Sequence, residues 1–258
     1  HPADFSGDPS FARTPDQEAR FDAMCDTADV LYGIPDVDPA KLARTVAANP
    51  NLRWVQTMAA GGGSQVVAAG LADDDYARIV FTTSAGAHGI PLAEWAIFGV
   101  FCGTKDLPRL QRQQRAHEWP VRVVGRPIEG STILVLGLGG IGQQVAKRAK
   151  ALGMTVLGMK RRVEPVENVD EVHPLDDLRS IVGRADHIVV TLPGTPTTTG
   201  LLNADIFKAA KPGVTVVNVG RGTVIDEAAL VDALRAGQVG FAALDVFAQE
   251  PTEAARWA

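Results

Sequence analysis

The sequence predicts an α/β protein, a doubly wound parallel sheet preceded by a smaller α/β unit. Three observations support this. After Gly130, segments with strand and helix patterns alternate, joined by short loops. Strands such as ILVL (133–136) and IVV (188–190) are almost wholly apolar, as expected for strands buried on both faces of a parallel sheet. A glycine-spaced loop, Gly137 to Gly142, stands between a strand and a helix.

In chain order, the first 27 residues are rich in Asp, Pro and Ala and read as a loop followed by a short helix over 15–24. Residues 28–32, 52–56 and 79–82 are β-branched or aromatic runs punctuated by Gly and Pro, which predicts three strands. A helix is predicted over 39–48, with Asp38 as N-cap and Pro39 at its first position. The sheet of this first third looks incomplete at its amino end. Leu92, Trp95, Ala96, Gly99 and Val100 have helical spacing, so a long connecting helix is expected over 91–102. A charged helix follows over 106–119. Beyond Gly130 we expect strands at 132–136, 155–158, 187–192, 214–219 and 240–244. Helices are expected between them at 141–152, 175–182, 203–209 and 226–236. Right-handed crossovers would place those helices on both sides of one sheet. The domain division is read as 1–90 and 91–258, with the connecting helix in the second part.

Composition limits the possible functions. The chain has 258 residues, 46% apolar and 21% charged, typical of a soluble globular protein. A formal net charge of -5 argues against a general nucleic-acid binder. Cys25 and Cys102 are too few for a disulfide framework. No apolar run is long enough to span a bilayer, no signal peptide is visible and no metal-ligand set is read, so a cytoplasmic protein with no membrane partner is expected.

The segment ILVLGLGGIG (133–142) is G-x-G-x-x-G directly after a strand and opening a helix. Gly137 permits the tight turn, Gly139 the approach of a pyrophosphate, and Gly142 close helix–strand packing. The free N–H groups and the dipole at the helix start, around Gly140 and Ile141, attract the anion. A dinucleotide is therefore the expected cofactor. Where an acid for the adenine ribose usually ends the second strand, this chain has Met159-Lys160-Arg161-Arg162. A carboxylate would repel a 2'-phosphate and arginine would bind it, so NADP(H) is favoured over NAD(H). The alternative for these three bases is a solvated loop.

Three more motifs align with the glycine loop: LPGTPTTTG (192–200), VNVGRG (217–222) and ALDVFAQEP (243–251). Together they resemble the D-isomer-specific 2-hydroxyacid dehydrogenases, a family that includes glyoxylate/hydroxypyruvate reductases and phosphoglycerate dehydrogenases. The resemblance runs from about Ala28 to Pro251. It implies a Rossmann domain joined to a smaller flavodoxin-like substrate domain. The implied activity is hydride transfer between a nicotinamide cofactor and a small 2-keto acid, in a cleft between the two.

The resemblance also implies residue roles. Arg221 corresponds to the substrate-orienting arginine, and Glu250 to the acid that pairs with a catalytic histidine and raises its pKa. Asp245 corresponds to the partner of the nicotinamide carboxamide. Pro193, Thr198, Val219 and Gly220 correspond to cofactor contacts. QTMAAGGG (56–63) occupies the place of the substrate loop, where N–H groups around Ala60 and Gly61 would bind the carboxylate. That loop departs from the family's Ser-Ala-Gly-Val-Asp. GAHGIPLAEW (86–95) resembles the start of the interdomain helix, which makes His88 a hinge or loop residue. The family's histidine should lie about twenty residues after Glu250. His1, His88, His117, His173 and His187 do not sit in that context, so the natural protein is expected to be longer. Arg109, Arg112 and Arg115 recur near one helical turn, and are read as a homodimer surface or a solvated basic face. Two alternatives remain: phosphoglycerate dehydrogenase, and a non-catalytic dinucleotide-sensing scaffold of the corepressor kind.

Overall fold

The computed structural model describes residues 12–59, 61–120 and 125–250. By their contacts these form two units, one up to His88 and one from Gly89.

The first unit contains α1 (Pro15–Thr27), β1 (Val30–Tyr32), α2 (Pro39–Ala48), β2 (Trp54–Gln56), α3 (Gly63–Ala68), α4 (Asp73–Arg78) and β3 (Val80–Thr82). A capping box opens α1: the Thr14 hydroxyl accepts from the Gln17 N–H, and the Gln17 side chain accepts from the Thr14 N–H. Asp38 caps α2 by accepting from the Ala40 N–H at 2.8 Å, with Pro39 first in the helix. Three parallel strands run in the order β1-β2-β3. Leu31 and Val55 turn into a core with Cys25, Leu42, Val46 and Val66. Strand alternation puts Val30, Trp54 and Val80, which are in register, on the opposite and exposed face. Arg13 clamps Asp36 through two hydrogen bonds of 2.8 and 2.7 Å while its guanidinium lies over the Phe21 ring.

The second unit contains α5 (Gly89–Thr104), α6 (Leu107–Arg115), β4 (Thr132–Leu136), α7 (Gly140–Ala151), β5 (Thr155–Met159), β6 (Glu171–His173), α8 (Leu178–Ile181), β7 (His187–Val190), α9 (Ala204–Ala209), β8 (Val214–Asn218), α10 (Glu227–Arg235) and β9 (Val239–Leu244). Its six strands are all parallel, in the order β6-β5-β4-β7-β8-β9. This is the doubly wound order, reversing direction at β4 and β7. Both faces are buried. Leu134, Leu136, Ile188 and Val190 join one cluster with Leu178, Phe207 and Leu230 from α8, α9 and α10. Ile133, Val135 and Val189 join another with Ala93, Ala96 and Val100 of α5 and Val145 and Ala149 of α7. Each such aliphatic side chain contributes about 1.5–3 kcal/mol, so the central strands hold the unit together.

Several elements differ from the sequence reading. Helix α1 runs three residues further, to Thr27. Two helices form that the sequence reading did not include, α3 beginning in the expected glycine loop and α4 in a stretch given no element. In α3 the glycine run closes into a helix because the Ser64 N–H and hydroxyl both donate to the Gly61 carbonyl. In α4 three aspartates favour the amino end of the helix dipole, and Asp75 accepts from the Ala72 N–H. The charged helix α6 stops at Arg115, ahead of His117 in a left-handed conformation and of Pro120, which disfavours helix at the residue before it. Residues 175–182 form a single α-turn flanked by 3-10 turns. Edge strand β6 was not anticipated, because its EVH is too short and polar to register as a strand.

Burial affects one titratable group strongly. His187, 5% exposed at the start of β7, is held down to about 4 by desolvation, with Lys211 adding to that and Asp186 opposing it. The unfolded chain, with an imidazole near 6.5, therefore takes the proton first. Stability is full above pH 6.5 and falls as pH drops toward 4, by a total on the order of 3 kcal/mol. Denaturant titrations of the wild type and of His187→Gln between these pH values should show this slope in the wild type and lose most of it in the variant.

Candidate active site at the carboxyl ends of the strands

The glycine loop begins where β4 ends. Gly137 has φ +101, and Gly142 has no room for a Cβ, which would lie 1.9 Å from the Gly137 carbonyl oxygen. Helix α7 therefore starts directly on the turn. Beside Gly139, a Cβ would meet nothing within 4 Å, so the space in front of the loop is open. Among the described residues no side chain caps α7, which leaves its first N–H groups, at Gly140, Ile141 and Gly142, without a helical partner. An open, uncapped helix start of this kind fits a pyrophosphate.

Thr191 locks the loop from the neighbouring strand, its hydroxyl donating to the Gly137 carbonyl at 2.6 Å. The sequence reading had taken 187–192 as strand. Instead β7 ends at Val190, so that Thr191 can turn toward the loop.

After β7 the chain runs through Leu192 into the loop carrying Pro193, which is exposed. Thr198 is buried; its hydroxyl donates to the Pro193 carbonyl at 2.6 Å and accepts from the Thr195 N–H at 2.9 Å. Thr198 thus folds this loop upon itself.

After β8, Asn218 organises the next loop. Fully buried, it accepts from the Gly220 N–H at 2.9 Å and donates to the Arg221 carbonyl at 3.0 Å. Val219 continues the ladder through its N–H to the Val190 carbonyl. Arg221 is left exposed at the loop apex, with one Nη1–H donated to the Gly220 carbonyl and no other hydrogen-bond partner for its guanidinium among the described residues. The loop after β9 packs tightly behind, since a Cβ on Gly222 would overlap the Phe247 backbone at 1.9 Å. Asp245 is exposed at the end of β9, its N–H donated to the Asn218 carbonyl. Glu250 accepts from the Phe247 N–H at 2.9 Å, and Glu227 from the Ala248 N–H at 2.7 Å. Arg221, Asp245 and Glu250 therefore stand on two adjoining loops of one sheet end.

At the end of β5, Met159 is buried and the basic residues follow it. Lys160 is paired with Glu164 at 2.6 Å. Arg161 and Arg162 are exposed and have no acidic partner among the described residues. In the first unit, Gly61 lies in the turn before α3; Ala60 lies outside the described residues.

Residues 98–258 match the sequence model described as "D-isomer specific 2-hydroxyacid dehydrogenase, NAD binding domain". The chain belongs to the D-isomer specific 2-hydroxyacid dehydrogenase family. It is 36% identical over 238 residues to the D-3-phosphoglycerate dehydrogenase of Mycobacterium tuberculosis, a match covering 88% of this chain and 44% of that one. The chain thus spans less than half the length of that curated relative. A crystal structure of a family protein from Aeromonas salmonicida is similar with a TM-score of 0.76 at 33% identity, covering 91% of this chain and 73% of that one. The family enzyme of Xanthobacter autotrophicus, solved in complex with NADPH and MES, has a TM-score of 0.70 at 34% identity, covering 81% and 64%.

Within this family framework, Thr191 and Asn218 are the two site residues the sequence reading missed. The available signal was a polar residue ending an apolar strand, one turn before a glycine. Replacing Thr191 by Val should leave the fold intact and weaken dinucleotide binding about tenfold, measurable by fluorescence titration with NADPH. Gly142→Ala should abolish that binding and lower stability by about 1–3 kcal/mol, because the new methyl must displace the Gly137 carbonyl.

Proposed function

We propose that this protein interconverts a small 2-keto acid and its D-2-hydroxy acid, with NADP(H) as cofactor. The observation that carries this is the joint placement of an open, uncapped glycine loop and of Arg221, Asp245 and Glu250 at one end of the same sheet. A bound nicotinamide dinucleotide supplies or accepts the hydride. The N–H groups at the start of α7 hold its pyrophosphate, and Arg161 and Arg162 its 2'-phosphate, with Lys160 tethered alongside by Glu164. Asp245 accepts a hydrogen bond from the carboxamide, while Pro193, Val219 and Gly220 wall the cofactor.

Arg221, with most of its guanidinium uncommitted, takes the substrate carboxylate and polarises the ketone. Glu250 favours the charged form of a histidine that protonates the alkoxide. His173 sits on edge strand β6, opposite β9, and His187 at the amino end of β7, so neither reaches the Glu250 loop. The unit before His88 is assigned to substrate, through N–H groups around Ala60 and Gly61, and the unit after it to cofactor.

Cys25 and Cys102 are free and buried, as thiols remain in a reducing compartment, which favours the cytoplasm. Ile90 and Phe98, two turns apart on α5, are 54% and 60% exposed, and with Arg112 and Arg115 of α6 they favour a homodimer. Sedimentation of the full-length protein should give twice the monomer mass.

The preference for the phosphorylated cofactor is supported by two arginines without an acidic partner among the described residues and by the NADPH complex of a family relative. In the Arg161→Ala, Arg162→Ala double variant, KM for NADPH should rise about 10–100-fold with KM for NADH nearly unchanged. A wild type that prefers NADH would overturn the assignment. Arg221→Gln should lower kcat/KM by a similar factor without weakening cofactor binding. The second reading, phosphoglycerate dehydrogenase, rests on the names of the curated relatives. Assays of the full-length protein with glyoxylate, hydroxypyruvate and 3-phosphohydroxypyruvate separate the two. Tight NADPH binding with no turnover of any 2-keto acid would instead identify a dinucleotide-sensing scaffold.

A further inference from the structure

The amino edge of the six-stranded sheet holds a cavity of about 530 Å³, framed by the end of α5, the chain entering β4 and the starts of β7 and β8. That volume lies within the range of small-molecule sites. The glycine loop is at the other end of the strands. The five residues of β4 separate the two by about 17 Å, so a ligand here would not overlap the dinucleotide.

His187 forms part of the wall, 95% buried, and its Nδ1 has no hydrogen-bond partner among the described residues. A buried polar atom left unpaired is costly. The charges around it differ in how far they are committed. Asp186 is used up: it accepts from Lys211 at 2.8 Å and from the Thr132 N–H at 2.8 Å. Asp106 caps α6 and holds the Arg109 Nε at 2.8 Å. The two Nη groups of Arg109 and the whole Arg126 guanidinium have no partner among the described residues, and both arginines line the cavity. Glu129 is the one lining acid without a partner among them, and its stem lies along Gly153. Uncommitted positive charge therefore exceeds uncommitted negative charge, next to donors that prefer planar or tetrahedral oxyanions.

We propose that this cavity is a second binding site, for a small metabolite carrying an oxyanion, either a phosphate monoester or a carboxylate. Arg126 and Arg109 grip the oxyanion, and the buried imidazole wall sits at the back of the site. The site is independent of the dinucleotide assignment.

The test is an NMR titration of the full chain with inorganic phosphate and, separately, with citrate, following the backbone amides of Ser131 and Thr215 and the His187 ring. These groups report on the amino edge alone, so oxyanions at the glycine loop do not interfere. A saturable shift in the millimolar range is expected with at least one probe, and the probe that gives it distinguishes a phosphate from a carboxylate ligand. Arg126→Gln, on the surface and away from the core, should weaken it about tenfold, and Glu129→Gln should tighten it. Absence of a saturable shift with both probes would overturn the site. So would a shift unchanged by Arg126→Gln, or one weakened by Glu129→Gln.

Discussion

The contact on which the site depends is the seating of α7 on the turn that precedes it. Gly142 lies so close to the Gly137 carbonyl that only a hydrogen fits between them. That approach fixes where the helix begins, and thereby where its unpaired N–H groups point. The Thr191 hydroxyl grips the same carbonyl from the next strand, so the loop is held from both sides. An anion site made from backbone donors works only if the donors are already aligned, and this contact aligns them.

The rest of the sheet end repeats the device with different residues. Asn218, buried at the end of β8, satisfies one donor and one acceptor of the loop that presents Arg221. Gly222 lets that loop press against the β9 loop, where Glu250 accepts from the Phe247 N–H and Glu227 from the Ala248 N–H. Buried polar groups are tolerable only when paired, and here each pairing fixes the position of an exposed chemical group. The apolar strands beneath supply the rigidity. The amino edge is different: Asp186 is saturated, while the His187 Nδ1, the Arg109 Nη groups and the Arg126 guanidinium have no partner among the described residues. At the carboxyl end each pairing positions an exposed group, whereas at the amino edge polar groups are left unpaired among the described residues.

Much of this was legible in the residues. Apolar strands buried on both faces and amphipathic helices announced themselves by periodicity, and β4 matches the predicted strand end to end. Glycine spacing, the capping residue Asp38 and the basic run after Met159 were equally local signals. Elements lacking a periodic signature were lost: β6 is a three-residue edge strand, and α3 starts in a glycine run. Lys160 looked like a free cation in the sequence but is paired with Glu164 four residues on.

The sequence by itself determined the doubly wound class, the dinucleotide loop and the candidate chemical groups, because each depends on neighbours within a few residues. Tertiary structure alone decided which of those groups are free to act. It ties Thr198 and Lys160 to partners in their own loops, places Thr191 and Asn218 as clamps, and leaves Arg161 and Arg162 without an acidic partner among the described residues. The physical reason is that hydrogen-bond satisfaction depends on which strands lie side by side, and residues 137 and 191 become neighbours only when β4 pairs with β7.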